Sequence, residues 1–184
     1  MEGCARTILP YGIFSTAGTS DLSEIILLDS AHIQEKDAEF ANRRGFSRHK
    51  PALPLYGVRD AEQALEQFSA VDIGASTALP GGAELTLRRA GHILGAATAE
   101  VRWAGKTIGF SGDLGRYGDA VMVDPEPVTE ADYLVIESTY GNRRHEAGDP
   151  TQALGDIIER TTRRGGTEII PTFAVGRAQS LMYH

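Results

Sequence analysis

Two short segments carry the residues best suited to chemistry. Gly91-His92-Ile93-Leu94-Gly95 sets a histidine between glycines, and Ser111-Gly112-Asp113-Leu114-Gly115 does the same for an aspartate. Each follows a stretch that reads as a β-strand. Metal-dependent hydrolases hold imidazole and carboxylate ligands on rigid strand ends, with small neighbours leaving room for substrate. Singly, each residue has an ordinary reading: a hydrogen-bonded loop histidine for His92, a turn-forming residue for Asp113. At two neighbouring strand ends they point together to zinc ligation. A carboxylate there can bridge two zinc ions about 3.5–4 Å apart, with a hydroxide nucleophile between them.

A third acidic group, Glu137, closes the apolar run Tyr133 to Ile136 and opens Glu-Ser-Thr-Tyr-Gly-Asn-Arg. A carboxylate leaving a buried strand at a cleft can act as a general acid or orient one. It can equally cap a helix or pair with a surface cation. Basic residues follow in Gly141-Asn142-Arg143-Arg144-His145, and Arg177 opens a helix after Pro171-Thr172-Phe173-Ala174-Val175-Gly176. Arginine pairs bidentately with phosphate oxygens, and helix N-termini favour anions. These residues are therefore candidates for RNA contact, with a solvated face as the plain alternative. Arg43, Arg44, Arg48, His49 and Lys50 form a second basic cluster with Phe46 between them. His32 falls inside a helix and reads as a core or surface histidine rather than a ligand.

The elements that must position these groups form a layered α/β pattern. Tyr11 to Ser15 reads as a short strand. A helix capped by Thr19 or Ser20 begins at Asp21 and runs to about Arg43, with Leu22, Ile25, Ile26 and Ile33 on one face. Pro51 and Pro54 break the loop that follows. Asp60 to Phe68 reads as a short helix with Ala61, Leu65 and Phe68 inward. Strands are expected over Glu84–Arg88, Thr98–Trp103 and Lys106–Phe110, the last two a hairpin turning at Ala104-Gly105. Tyr133–Ile136 and Thr167–Ile170 read as buried strands. Thr151–Arg163 reads as a helix, and so does the chain from Arg177.

Composition sets outer bounds. The 184 residues suffice for one domain and its core, with little left over. Hydrophobic residues at 41% and charged residues at 23% fit a globular protein. A net charge of −7 argues against a general nucleic-acid-coating protein but permits a local RNA groove. The single cysteine, Cys4, excludes an internal disulfide. No apolar run approaches the roughly 20 residues that span a bilayer. A reduced, cytoplasmic setting away from membranes is the expectation.

Six ordered segments then take on a joint meaning: Leu28–Glu35 (LDSAHIQE), Gly45–Tyr56 (GFSRHKPALPLY), Gly91–Ala97 (GHILGAA), Phe110–Arg116 (FSGDLGR), Glu137–Arg143 (ESTYGNR) and Ile169–Arg177 (IIPTFAVGR). In this order they resemble the metallo-β-lactamase/β-CASP family of RNA-processing nucleases, over almost the whole chain from Tyr11 to His184. That group includes bacterial and archaeal ribonucleases and the eukaryotic pre-mRNA 3′-end endonuclease. The resemblance implies part of a metallo-β-lactamase αββα sandwich over residues 1–150 and the beginning of a β-CASP α/β domain over 151–184. It implies that His92 ligates one zinc, that Asp113 bridges two, and that Glu137 stands near the catalytic centre. It implies an RNA substrate cleaved in line by a zinc-bound hydroxide, and it allows a homo-oligomer.

Two departures shape the expectation. The family's HxHxDH motif should stand just before the Tyr11 strand, where this chain has only MEGCARTILP. The family's later histidines should lie past residue 184. The chain therefore reads as a fragment of a zinc ribonuclease that is inactive alone. Two other classes compete: a non-catalytic RNA- or partner-binding module, and a small-molecule metallo-hydrolase of the same fold. Retention of His92, Asp113 and Glu137 opposes the first, and ESTYGNR with IIPTFAVGR opposes the second.

Overall fold

The computed structural model describes residues 12–144 and 148–184. The architecture is mixed α/β. A short strand β1 (Ile13–Ser15) leads into a long helix α1 (Ala17–Arg44), then helix α2 (Val58–Leu65) and strand β2 (Phe68–Ala70). Strands β3 (Ser76–Leu79), β4 (Ala83–Arg89), β5 (Ala97–Trp103), β6 (Lys106–Phe110) and β7 (Tyr133–Val135) follow, then helices α3 (Pro150–Arg163) and α4 (Arg177–Tyr183). β1 and β2 form a parallel pair, Ile13 opposite Phe68. β3 to β7 form one sheet in sequence order. Its pairs are antiparallel up to β6, and β7 joins parallel, Ile108 opposite Tyr133.

The local chemistry explains most of this. β5 and β6 close a hairpin with Trp103 opposite Lys106. Ala104 and Gly105 both take positive φ, 49° and 74°, as a tight hairpin turn demands. β4 alternates, burying Leu85 and Leu87 while Thr86 and Arg88 face the other way. α2 packs on α1, and the buried alanines Ala31, Ala41 and Ala61 permit close helix approach. α1 ends at Gly45, whose φ of 69° is the left-handed C-terminal stop that glycine provides. The loop after it folds back along α1. Asn42 receives the Ala52 amide at 2.7 Å and donates to the Ala52 carbonyl at 2.9 Å. Gln34 takes the Leu55 amide, the Tyr56 hydroxyl meets Ser30 Oγ at 2.8 Å, and Glu35 takes the Val58 amide.

Several expectations change. α1 starts earlier than Asp21, because Thr16 is the N-cap and accepts the Thr19 amide at 3.1 Å. Ile25, Ile26 and Ile33 are exposed. The helix buries its alanine face instead, where backbones come closest. The second helix ends at Leu65, and Phe68 passes to β2. Pairing with β1, anchored by the Ile13 amide on the Gln67 carbonyl at 2.8 Å, captures it. β3 was hidden in sequence, since the short run Ser76-Thr77-Ala78-Leu79 before Pro80-Gly81-Gly82 is too brief to carry a strong period. Tyr133–Val135 forms the expected strand but not a buried one. It is an edge paired only to β6, and all three residues are exposed. Thr167–Ile170 forms no strand among the described residues, and Ile169 is 86% exposed. The start of the Tyr11 strand, Cys4 and His145 lie outside the described residues. No helix is long and apolar enough to cross a membrane among the described residues.

Candidate metal and catalytic site

His92 stands on the loop from β4 to β5. The Ala90 amide donates to the Ala96 carbonyl and the Ala96 amide to the Ile93 carbonyl, both at 3.0 Å, which closes the loop tightly. Gly91 and Gly95 take φ of 68° and 82°, a backbone that side chains resist. The loop is also held from outside. The Thr16 and Thr19 hydroxyls, at the start of α1, both donate to the Gly95 carbonyl, at 2.7 and 2.9 Å.

Asp113 stands on the loop leaving β6, and the two loops interlock through glycine. The Gly115 amide donates to the Ala90 carbonyl at 2.7 Å. A Cβ on Gly115 would run into the Gly91 carbonyl, so only glycine allows this approach. The result brings His92 Nε2 to 4.0 Å from Asp113 Oδ2, with both side chains open to solvent.

Glu137 joins from β7. Its Oε1 accepts the Leu114 amide at 2.8 Å and its Oε2 the Thr139 amide at 3.2 Å. These bonds favour the charged form, so its pKa lies below the ordinary carboxylate value. The Leu114 amide is the main cause, Thr139 comes next, and His92 adds a small attraction. The buried Ser111 ties the strand ends together. Its Oγ accepts the Glu137 amide at 3.0 Å, its amide donates to the Val135 carbonyl at 2.9 Å, and its carbonyl accepts Thr98 Oγ1 at 3.2 Å. The sequence marked neither Ser111 nor Thr16 as a site residue, and it offered Thr19 only as a helix cap. Ser111 stands beside the Gly-Asp step, where a serine also fits any turn, and the two threonines act across 79 and 76 residues of chain.

The structure thus brings His92, Asp113 and Glu137 to one end of the sheet. Arg177 begins α4 close by, for Gly176 before it sits against the Ile93 side chain. Arg177 lies over the Phe173 ring and Arg143 over the Tyr140 ring, at 5.7 and 5.5 Å. Arg143 and Arg144 are exposed on the loop after Glu137. His32 is exposed on α1.

An imidazole with a carboxylate is a zinc-type donor pair. Tetrahedral zinc about 2.0–2.2 Å from each donor sets the two about 3.4 Å apart. The observed 4.0 Å closes to that by a small rotation of exposed side chains. The two residues therefore fit as two ligands. No third histidine, cysteine or carboxylate joins them in a metal-ready cluster among the described residues.

No family model matches the chain. Individual relatives do. Ribonuclease TTHA0252 of Thermus thermophilus is 33% identical over 172 residues, 93% of this chain and 36% of the relative. The endoribonuclease ysh1 of Schizosaccharomyces pombe is 40% identical over 130 residues, 70% of this chain and 17% of the relative. Transcription termination factor FttA of Methanothermobacter thermautotrophicus is 32% identical over 179 residues, 92% of this chain and 26% of the relative. The chain spans between 17% and 36% of the length of these relatives. The mixed α/β architecture is of the kind expected for these relatives. The chain belongs to the metallo-β-lactamase/β-CASP family.

Proposed function

We propose that this chain supplies part of the catalytic centre of a zinc-dependent ribonuclease that hydrolyses RNA phosphodiester bonds. The observation that carries this reading is the interlock of two glycine loops that sets His92 and Asp113 4.0 Å apart. The names of the relatives, ribonuclease and endoribonuclease, supply the substrate class.

In this reading His92 and Asp113 are two of the zinc ligands, and further donors complete the set. Zinc supplies a water of lowered pKa and a Lewis acid for phosphoryl oxygens. The chain's own residues do the positioning. Glu137, charged and latched to the Leu114 amide, fixes the backbone beside Asp113. Ser111 fixes Glu137. Arg143, Arg144 and Arg177 offer cations to RNA phosphates. Residues 1–150 belong to the metallo-β-lactamase part and 151–184 to the start of the β-CASP part.

The polypeptide by itself is inactive in this reading, since the two ligands found among the described residues do not hold a zinc pair. Equilibrium dialysis with zinc tests it. We expect weak binding that His92→Ala and Asp113→Ala each abolish. Zinc uptake that ignores both substitutions overturns the assignment. Robust zinc-dependent cleavage of labelled RNA by the polypeptide alone overturns the claim of inactivity and leaves the ribonuclease reading standing.

A further inference from the structure

α1 carries a basic surface with exposed aromatic rings at its far end. The helix has 28 residues, about 42 Å at 1.5 Å per residue. Its N-terminus holds the His92 loop through Thr16 and Thr19, so its C-terminus lies far from His92 and Asp113.

Charge is segregated there. The chain carries −7, yet no acidic residue occurs from Phe40 through Arg59, where Arg43, Arg44, Arg48, Lys50 and Arg59 supply five of the 18 basic residues. Arg43, Arg44, Arg48, His49 and Lys50 are exposed, and none forms an ion pair among the described residues. A helix C-terminus accounts for Arg43 and Arg44, because cations favour the negative end of the dipole. It does not account for Arg48 and Lys50, which stand in the loop beyond.

Aromatic rings accompany the cations. Phe46 is 66% exposed and meets Phe40 edge-on at 5.9 Å. The Arg43 and Arg44 guanidinium groups lie 5.7 and 5.6 Å from the Phe40 ring centre. Both rings line an open groove of about 510 Å³ with Leu53, Pro54 and Leu55. The bonds from Asn42 and Gln34 hold the Ala52 and Leu55 side of this groove against the helix. Cations tracking a backbone beside an exposed ring are the pattern that binds single-stranded nucleic acid. The cations take phosphates and the ring stacks on a base.

We infer that Arg43, Arg44, Arg48, His49 and Lys50 with Phe46 form an RNA-contacting surface separate from the His92/Asp113 site. RNA as the ligand rests on the ribonuclease reading above. A basic rim alone would suit an acidic peptide as well; the exposed Phe46 beside it favours a nucleotide chain.

Fluorescence anisotropy with labelled single-stranded oligouridylate, 30 nucleotides long, tests the surface, with poly-glutamate as the competing polyanion. The double variant Arg48→Glu/Lys50→Glu changes only exposed loop positions. We expect it to weaken RNA binding roughly tenfold or more at low salt. The salt slope should shrink by about 1.4, at about 0.7 per phosphate contact. Phe46→Ala should weaken binding with an unchanged slope, and circular dichroism checks that it folds. Binding indifferent to the double variant overturns the surface. So does poly-glutamate binding as tight as RNA. Zinc uptake at His92 and Asp113, read on the same samples, judges the nuclease reading separately, so either idea can fail while the other survives.

Discussion

Glu137 and Leu114 are joined by a hydrogen bond of 2.8 Å from the Leu114 amide to the Glu137 carboxylate, one residue past Asp113. An acidic side chain at the end of β7 therefore sets the backbone that presents Asp113. Glu137→Gln keeps an oxygen acceptor and should keep the loop. Glu137→Ala removes the acceptor, and the Leu114 amide should exchange with solvent about an order of magnitude faster or more. Hydrogen exchange by NMR checks this. Equal exchange in both variants would show that the loop is held by something else.

The contact of Gly115 with Gly91 makes a different claim, about space rather than hydrogen bonding. A methyl at Gly115 collides with the Gly91 carbonyl. Gly45 is a useful contrast: its φ is 69°, but nothing lies within 4 Å of a Cβ there. Gly45→Ala should cost about 1–2 kcal/mol by backbone strain alone. Gly115→Ala should cost roughly 1–3 kcal/mol by overpacking and should also separate His92 from Asp113. Thermal unfolding reads the first effect and zinc dialysis the second. Zinc affinity should fall in Gly115→Ala and stay unchanged in Gly45→Ala. An unchanged affinity in Gly115→Ala would refute the idea that glycine packing builds the site.

The parts legible in the sequence were those with a local cause. Ala104-Gly105 between two alternating runs announces a hairpin, and glycines around His92 and Asp113 announce loops that need unusual backbone. The parts that were hidden depend on distant partners. Phe68 leaves a helical pattern for β2 because β1 offers a strand edge. Tyr133–Val135 and Thr167–Ile170 have the apolar character of inner strands, but burial is decided by what covers them, which no local pattern records. The His92–Asp113–Glu137 grouping was legible as three residue types after three strands. Ser111, which ties two of those strand ends together, was not, because a serine beside glycine also fits any turn.

Acid should loosen the β6–β7 edge. Asp132 accepts Lys106 Nζ at 2.6 Å and the Thr107 amide at 2.9 Å. Those contacts, Lys106 first, hold its pKa below the ordinary value of 3.8. A depressed carboxylate stabilises the fold above its unfolded pKa, and this contribution disappears as pH falls through the lower folded value. Stability should therefore drop below about pH 4, and Asp132→Asn should flatten that part of the profile. Chemical unfolding at pH 2.5 to 7 checks it. A variant profile that keeps the full acid drop would assign the effect to other carboxylates, such as Asp119, whose pKa is also lowered, chiefly by the Val121 and Met122 amides.

Thr16 couples the start of α1 to the His92 loop, and its substitution should be felt at both. Its side-chain oxygen accepts the Thr19 amide and its hydroxyl donates to the Gly95 carbonyl, in a position only 4% exposed. Thr16→Val preserves shape and removes both bonds. The lost cap and the unpaired amide should cost about 1–2 kcal/mol. Thr16→Ser should restore most of it, because the hydroxyl and not the methyl makes both contacts. The telling readout lies elsewhere: in Thr16→Val the His92 ring should broaden or shift in NMR spectra, although it is 76 residues away in sequence. Thr19 still donates to the Gly95 carbonyl at 2.9 Å, so a single variant loosens the loop and Thr16→Val/Thr19→Val should release it. A double variant whose His92 signal matches the wild type would show that the loop is shaped by its own glycines and by Gly115 alone.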